Sequence, residues 1–192
     1  MAAIGVIWLL WISVWIVMAR GTKAVAKSEG VASRLTHLLP LGLAYYLLVA
    51  AYVPFPLLND RFVPLTPLLT WLGTTLTCAG ISFAIWARLF LAGNWSGTVT
   101  LKQNHELVVE GPYRWVRHPI YTGLLTAIIG TALARGEWRG LIAVAIAAFA
   151  LWHKLRLEET IMRGEFGDTY IRYAERVPAV GSLPAVRQSG DH

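Results

Sequence analysis

Gly111-Pro112-Tyr113-Arg114-Trp115-Val116-Arg117-His118-Pro119-Ile120-Tyr121-Thr122-Gly123 is the stretch whose reading decides the fold. It sets turn formers, two arginines, a histidine and two tyrosines between long apolar segments. Polar groups beside membrane-type sequence are costly unless they are partnered or used. Gly-Pro marks a turn. The residue before a proline favours extended backbone, and proline itself suits the first position of a helix. The reading is a cytoplasmic loop that ends at His118 and a helix that starts near Pro119, with the polar cluster at the helix mouth.

The composition around this stretch is that of a membrane protein. Of 192 residues, 56% are hydrophobic and 15% charged, and the mean hydropathy is +0.52. Soluble domains carry about 25% charged residues. The apolar residues also run uninterrupted for lengths that a soluble core seldom needs. The expected fold is all-α, a polytopic membrane bundle of about five transmembrane helices, each needing about 20 residues. It forms a single membrane domain over 1–192, with a three-helix part at 1–92 and a catalytic part at 93–187. The first apolar run lacks a basic leader and a small-x-small cleavage site, so it reads as a retained helix. The net charge of +6 and pI near 9.8 come from Lys and Arg in the loops. There they set orientation, which argues against nucleic acid as a partner. Cys78 is alone in an apolar segment, a small buried residue without a disulfide partner.

The spans follow in order. Residues 4–18 carry Trp8, Trp11 and Trp15 on one helix face. The loop that follows holds Arg20, Lys23, Lys27 and Arg34 against Glu29, so it is placed in the cytoplasm and the N-terminus outside. The second span is 35–58, with Pro40 as a kink or an entrance. The third is 65–92, with Arg88 near its cytoplasmic end. Residues 93–117 are a long polar cytoplasmic loop. Segments 120–134 and 140–153 are marginal for full crossings and form a tilted hairpin about the tight turn 135–139. The second of them continues into the cytoplasm through Lys154, Arg156, Glu158 and Glu159. The tail from Met162 is amphipathic, its helix ends at Val177-Pro178, and it covers the site or lies on the lipid surface. Residues 188–192 read as disordered. Gly123 and Gly130 suit close helix packing.

Three polar sets fall on the same side: the loop from Gln103 to Gly111, the mouth from Arg117 to Tyr121, and Glu158-Glu159 with the tail. Adjacent helical residues point about 100° apart, so the two glutamates cannot address one atom in the same way. One is suited to a ligand ammonium or hydroxyl, the other to an arginine. An exposed helix end with Lys154 four residues before Glu158 is the plainer alternative. The histidines form no i, i+4 pair and have no cysteine cluster, so no metal site is read. Nucleophile-elbow and dinucleotide fingerprints are absent.

Arg117-His118-Pro119-Ile120-Tyr121-Thr122-Gly123 followed by Glu158-Glu159 resembles the signature of the isoprenylcysteine carboxyl methyltransferases and related phospholipid methyltransferases. His105-Glu106-Leu107-Val108, Gly111-Pro112-Tyr113, Phe166-Gly167, Tyr170, Tyr173 and Arg176-Val177-Pro178 extend the resemblance over roughly residues 94–184. The resemblance implies an integral-membrane methyltransferase with S-adenosylmethionine in a cytoplasmic pocket built by the C-terminal half. Gln103, His105, Leu107, Val108 and Gly111 match its cofactor loop. His118, Tyr121 and Gly123 match its helix mouth, and Glu158 and Glu159 its acidic pair. Arg117 and Arg176 match positions for a substrate carboxylate, with Glu158 beside them among the catalytic positions. A salt bridge to the glutamates is an equal reading of Arg176.

Physical chemistry agrees with that reaction. A sulfonium methyl is already activated, so the protein has to align the reactants and keep them dry. A carboxylate nucleophile needs no strong base, and an arginine can orient it. The lipophilic substrate enters from the bilayer and the cofactor from the cytoplasm. The acceptor remains open between a prenylcysteine carboxylate, a phospholipid amine and another lipophilic group. A nicotinamide-dependent sterol-type reductase is the second reading, but Ile120 before Tyr121 and Leu124 after Gly123 depart from its pattern. A transporter or other non-enzymatic membrane protein is the third, and it predicts polar residues near the midplane.

Overall fold

The computed structural model describes residues 2–19, 25–28, 30–91, 100–102 and 107–181. Four long helices follow the apolar runs: α1 (Ala2–Ala19), α2 (Val31–Val49), α4 (Pro67–Leu91) and α5 (Pro119–Arg135). The fifth and longest is α6 (Trp138–Phe166). A short α3 (Pro56–Asn59) links α2 to α4, and α7 (Asp168–Arg176) follows α6. Among the described residues α1, α4 and α6 are long and apolar enough to cross a membrane. The loop charges Arg20, Lys23 and Glu29 and the tail 188–192 lie outside the described residues.

Two expectations need correction. The second span does not run to residue 58: α2 ends at Val49, and Pro54 and Pro56 force a turn before α3. The tail read from Met162 is not one helix, because residues 162–166 complete α6. Gly167 adopts φ 50° and separates α6 from α7, a conformation that a residue with a Cβ resists. The fold class is all-α as expected, with one short ribbon beside the helices. Strand β1 (Val25–Ser28) pairs antiparallel with β2 (Thr100–Lys102), so the two loops read as cytoplasmic form a small ribbon. That pairing joins segments far apart in sequence, and neither is long enough to signal a strand alone.

The α4–α5 interface organises the bundle. A Cβ added to Gly80 would stand 2.5 Å from the Gly123 carbonyl oxygen, and one on Gly123 2.5 Å from that of Gly80. Gly73 and Gly130 repeat this seven residues along each helix, at 2.5 and 2.6 Å. The backbones therefore touch, as small residues allow in lipid, where packing rather than water exclusion drives association. Thr77 donates to Gly73 O at 2.8 Å and lies 3.2 Å from Thr131 Oγ1. Trp8 Nε1 donates to Thr131 Oγ1 at 3.0 Å, which fixes α1 to this seam.

At the other end of the bundle the α5–α6 turn is held by charge. Gly136 caps α5 in the left-handed region, and its N–H donates to Ala132 O. Arg139, 1% exposed, donates to Ala50 O at 2.8 Å and to Glu137, while Arg135 donates to Leu48 O at 2.9 Å. These bonds satisfy the carbonyls freed where α2 ends.

Candidate functional site

The site is built at the mouth of α5. Pro119 opens the helix, and His118 caps it with φ −120° and ψ 63°. The His118 carbonyl accepts from Thr122 N at 3.0 Å and Thr122 Oγ1 at 3.1 Å. A short 3-10 turn, Gly111–Arg114, precedes it, with Gly111 at φ 57°. A Cβ on Gly111 would strike the Phe90 ring at 2.6 Å, so both backbone and packing favour glycine there. The Tyr113 hydroxyl donates to Ala87 O on α4, and the Tyr113 carbonyl accepts from Tyr173 on α7 at 2.7 Å.

Two segments far apart in sequence then meet. Arg117 Nε donates to Glu159 Oε1 at 2.9 Å, and Nη2 reaches the same oxygen. Nη1 donates to Ala174 O at 2.8 Å and to Val177 O. The Tyr121 hydroxyl donates to Glu158. His118 lies between the acids: Nδ1 is 3.6 Å from Glu158 and Nε2 3.4 Å from Glu159. Its ring stacks parallel to Tyr121, with centroids 5.5 Å apart. The 100° divergence of the two glutamates is thus used, one acid meeting the arginine, the other the tyrosine, and the histidine touching both.

Electrostatics follow from burial. The Arg117, His118 and Glu159 side chains are 10%, 8% and 8% exposed, and that of Glu158 is 22% exposed. Burial by itself lowers the His118 pKa, but Glu158 and Glu159 together outweigh it and raise the pKa above its ordinary value. Burial pushes the Tyr170 phenol up to about 12, with the Glu159 charge adding to it. Burial, then Glu158, pushes Tyr113 far above the usual phenol range. Both phenols stay neutral, and Tyr113 donates to Ala87 O.

The C-terminal segment straps the mouth. Arg117 N donates to Pro178 O at 2.8 Å and His118 N to Ala179 O at 2.9 Å. Ala179 and Val180 also border a cavity of about 360 Å³ between α5 and α6. Leu125, Leu151, Trp152 and Leu155 form its apolar wall, and Arg117, Arg156, Glu159 and Arg163 its polar end.

The structure brings together Arg117, His118, Tyr121, Glu158 and Glu159. Val108 packs with Tyr121 around the buried Ala87, Tyr113 and Ile120, and Leu107 is half-buried nearby in sequence. Gly123 lies in the α4–α5 seam, where backbone contact accounts for it. Arg176 is exposed at the last turn of α7 and makes no ion pair with the glutamates among the described residues. Gln103 and His105 lie outside the described residues. Sequence reasoning left three groups out of the site. Lys154 is buried with Nζ 5.5 Å from the Tyr121 ring centre, and Arg163 Nη2 stands 3.6 Å from Glu159. Their spacing of four residues from Glu158 and Glu159 was a usable signal. The strap at 177–180 was signalled in part by Val177-Pro178, but its backbone pairing with residues 117–118 leaves no residue signature. Among the described residues no group of three or more His, Cys, Asp or Glu is arranged to hold a metal ion.

Comparison with known proteins gives this geometry a family. The model of the phospholipid methyltransferase family matches residues 68–169. Protein-S-isoprenylcysteine O-methyltransferase B of Arabidopsis thaliana is 34% identical over 79 residues, 41% of this chain and 40% of its own length. The mouse protein-S-isoprenylcysteine O-methyltransferase is 30% identical over 152 residues, 72% of this chain and 50% of its own. The cobalt-zinc-cadmium resistance protein CzcN of Cupriavidus metallidurans is 36% identical over 115 residues, 57% of this chain and 50% of its own. The chain spans about half the length of these curated relatives, or less. The matched region runs from α4 to the start of α7 and contains the α5 mouth and the acidic pair, and by it the chain belongs to the phospholipid methyltransferase family.

Proposed function

We propose that the protein is an integral-membrane methyltransferase that uses S-adenosylmethionine and methylates the carboxylate of a lipophilic acceptor, as in prenylcysteine methyl esterification. The observation that carries this reading is the closure of the α5 mouth on the acidic pair of α6, across 37 residues of sequence between Tyr121 and Glu158. Five membrane crossings in a single domain, with the N-terminus outside and the site and C-terminus in the cytoplasm, complete the proposal. Three helices suited to crossing support it, and α2 and α5, of 19 and 17 residues, supply the other two.

The residues present fit the donor. S-adenosylmethionine is amphoteric and needs carboxylates for its cations, a donor for its own carboxylate and an apolar slot for its base. Glu158 is the more open acid of the pair, which suits it to the ammonium. His118 Nε2 is buried without a hydrogen-bond partner among the described residues, 3.4 Å from Glu159, and would serve as the donor for the carboxylate. Leu107, Val108, Gly111 and Tyr121 would supply the apolar side, with Gln103 and His105 on the adjoining loop. Glu159, committed to Arg117, holds the mouth and the strap in register.

When bound, the donor supplies a methyl group already activated on a sulfonium. The chain's own part is to orient and to exclude water. His118 leans toward its protonated form and the Tyr121 proton is given to Glu158, so neither serves as a strong base. A carboxylate acceptor needs none, whereas an ammonium acceptor must first lose a proton. That contrast favours the acid over the amine. Arg176 is the family-implied contact for the acceptor carboxylate, while the engagement of Arg117 with Glu159 and two carbonyls makes it a positioning residue.

The test is calorimetric donor binding to purified protein, then label transfer from the tritiated donor to a prenylated cysteine acid and to an amine of the same tail. Donor binding, and transfer to the acid alone, are expected. Glu158→Gln and His118→Ala should each weaken donor binding. Unchanged affinity in both would remove this site from consideration, and transfer to the amine alone would replace the acceptor.

A further inference from the structure

Lys154 is a buried cation beside the helix mouth that the reaction as outlined does not use. It lies on α6 between Leu151 and Leu155, and all three are buried. An apolar side chain would serve at that position if packing were its only purpose. An ammonium taken out of water is costly unless it is partnered or used. Its Nζ stands 5.5 Å from the centre of the Tyr121 ring, within reach of a cation–π attraction. The Tyr121 hydroxyl in turn donates to Glu158 Oε1. A cation against the ring draws electron density from the phenol and makes that hydroxyl a stronger donor. Glu158 also follows Lys154 by four residues, the spacing that puts two side chains on one helix face, and the ammonium charge acts on its carboxylate.

The two acids are therefore held in different ways. Glu159 is gripped by the Arg117 fork and has Arg163 at 3.6 Å. Glu158 has the Tyr121 hydroxyl on Oε1 and His118 Nδ1 3.6 Å from Oε2. A guanidinium fork on Glu158 would cover both oxygens that an arriving cation needs. A lysine set against the Tyr121 ring supplies compensating charge and leaves the acid accessible. The exposures agree, 22% for the Glu158 side chain against 8% for Glu159.

We propose that Lys154 is a positioning residue of the donor site, which fixes Glu158 through the Tyr121 ring and along α6 and so keeps that carboxylate ready for the donor's ammonium. The inference rests on the methyltransferase reading and adds to it a residue that acts through two others. It also runs against the simplest electrostatic expectation. A second cation next to an ammonium site repels the incoming ligand, so charge alone says that removing Lys154 tightens donor binding. Positioning says the opposite, because without Lys154 the Tyr121 hydroxyl is a weaker donor and Glu158 is held less firmly.

The experiment uses the full chain in detergent micelles, with S-adenosylmethionine as the calorimetric probe and thermal midpoints of the donor-free protein as a second readout. Lys154→Met keeps an unbranched stem and removes the charge. It should weaken donor affinity about five- to ten-fold, the scale of one cation–π contact at a partly desolvated site. Its thermal midpoint should stay at or above that of wild type, since replacing a buried ion by an apolar side chain of similar volume is often neutral or stabilising. Lys154→Arg keeps the cation and should recover at least half of the lost affinity. In a Tyr121→Phe background Lys154→Met should add less than about a two-fold loss, because the hydroxyl through which it acts is gone. Without donor, Glu158→Gln should lower the midpoint more when Lys154 is present than when Met replaces it. Tighter or unchanged donor binding in Lys154→Met would overturn the proposal. So would equal losses in the Met and Arg variants, a loss that only follows a falling midpoint, or midpoints that add without coupling. Coupled midpoints in a wild type that binds no donor would instead sink the methyltransferase reading and leave the assembly of Lys154, Tyr121 and Glu158 standing.

Discussion

Arg117→Gln is the substitution that the geometry judges most severely. The guanidinium is 10% exposed and makes four hydrogen bonds, two to Glu159 and two to the carbonyls of Ala174 and Val177. Glutamine keeps a polar head but neither the charge nor the fork. Glu159, 8% exposed, then keeps His118 and the exposed Arg163 as its cationic neighbours among the described residues. Removing one partner of a buried ion pair costs about 3–5 kcal/mol, because the remaining charge is stranded. The cost falls locally, since Arg117 joins α6 to α7 and to the strap. At about 1.4 kcal/mol per factor of ten, opening of the strap should become two to four orders of magnitude more frequent. Hydrogen exchange reads this directly, at the amides of Arg117 and His118 that bond Pro178 and Ala179. The double variant Arg117→Gln, Glu159→Gln should recover much of the protection, because the stranded charge is gone. Wild-type protection in Arg117→Gln, or a double variant worse than the single one, would refute the reasoning.

Other outcomes follow from the same contacts. His118 has a raised pKa in the folded chain, so its contribution is complete below its ordinary value near 6.5 and is lost as pH rises through the raised one. Thermal midpoints of wild type should fall on that rise relative to His118→Gln, and parallel pH profiles would contradict the assignment. Tyr121→Phe keeps the ring stacked on His118 but removes a hydrogen bond to a carboxylate, worth about 1.5–3 kcal/mol. Donor affinity should drop about ten-fold or more, and a change under two-fold would detach Tyr121 from the site. Gly123→Val places a side chain where even a Cβ stands 2.5 Å from the Gly80 carbonyl oxygen. It should destabilise the bundle by about 1–3 kcal/mol in thermal unfolding, and a neutral result would mean that α4 and α5 do not touch as described.

The helix starting at Pro119 and the long apolar spans were legible because each depends on neighbours in sequence. Proline fixes its own φ, and hydropathy accumulates along one run. The family was legible too, since its signature at 117–123 and 158–159 is a pattern of residue types. The α2 end was misplaced because Leu57 and Leu58 extended an apolar run past Pro54 and Pro56. The ribbon of β1 and β2 was missed because its hydrogen bonds join residues more than seventy positions apart. The partners of Arg117 were not legible for a similar reason. Its residue type suits a substrate carboxylate, but the carbonyls of Ala174 and Val177 reach it first.

The sequence by itself therefore determined a helical membrane protein with a basic, acidic and aromatic cluster at one helix mouth. Local backbone preference and transfer of apolar runs out of water act at short range and leave their mark in the order of residues. Tertiary structure alone decided which acid met which cation, that the C-terminal strap closes on residues 117–118, and that α4 and α5 meet backbone to backbone. Those outcomes depend on distances of a few ångströms between groups that the chain keeps far apart, and only packing of the whole bundle fixes them.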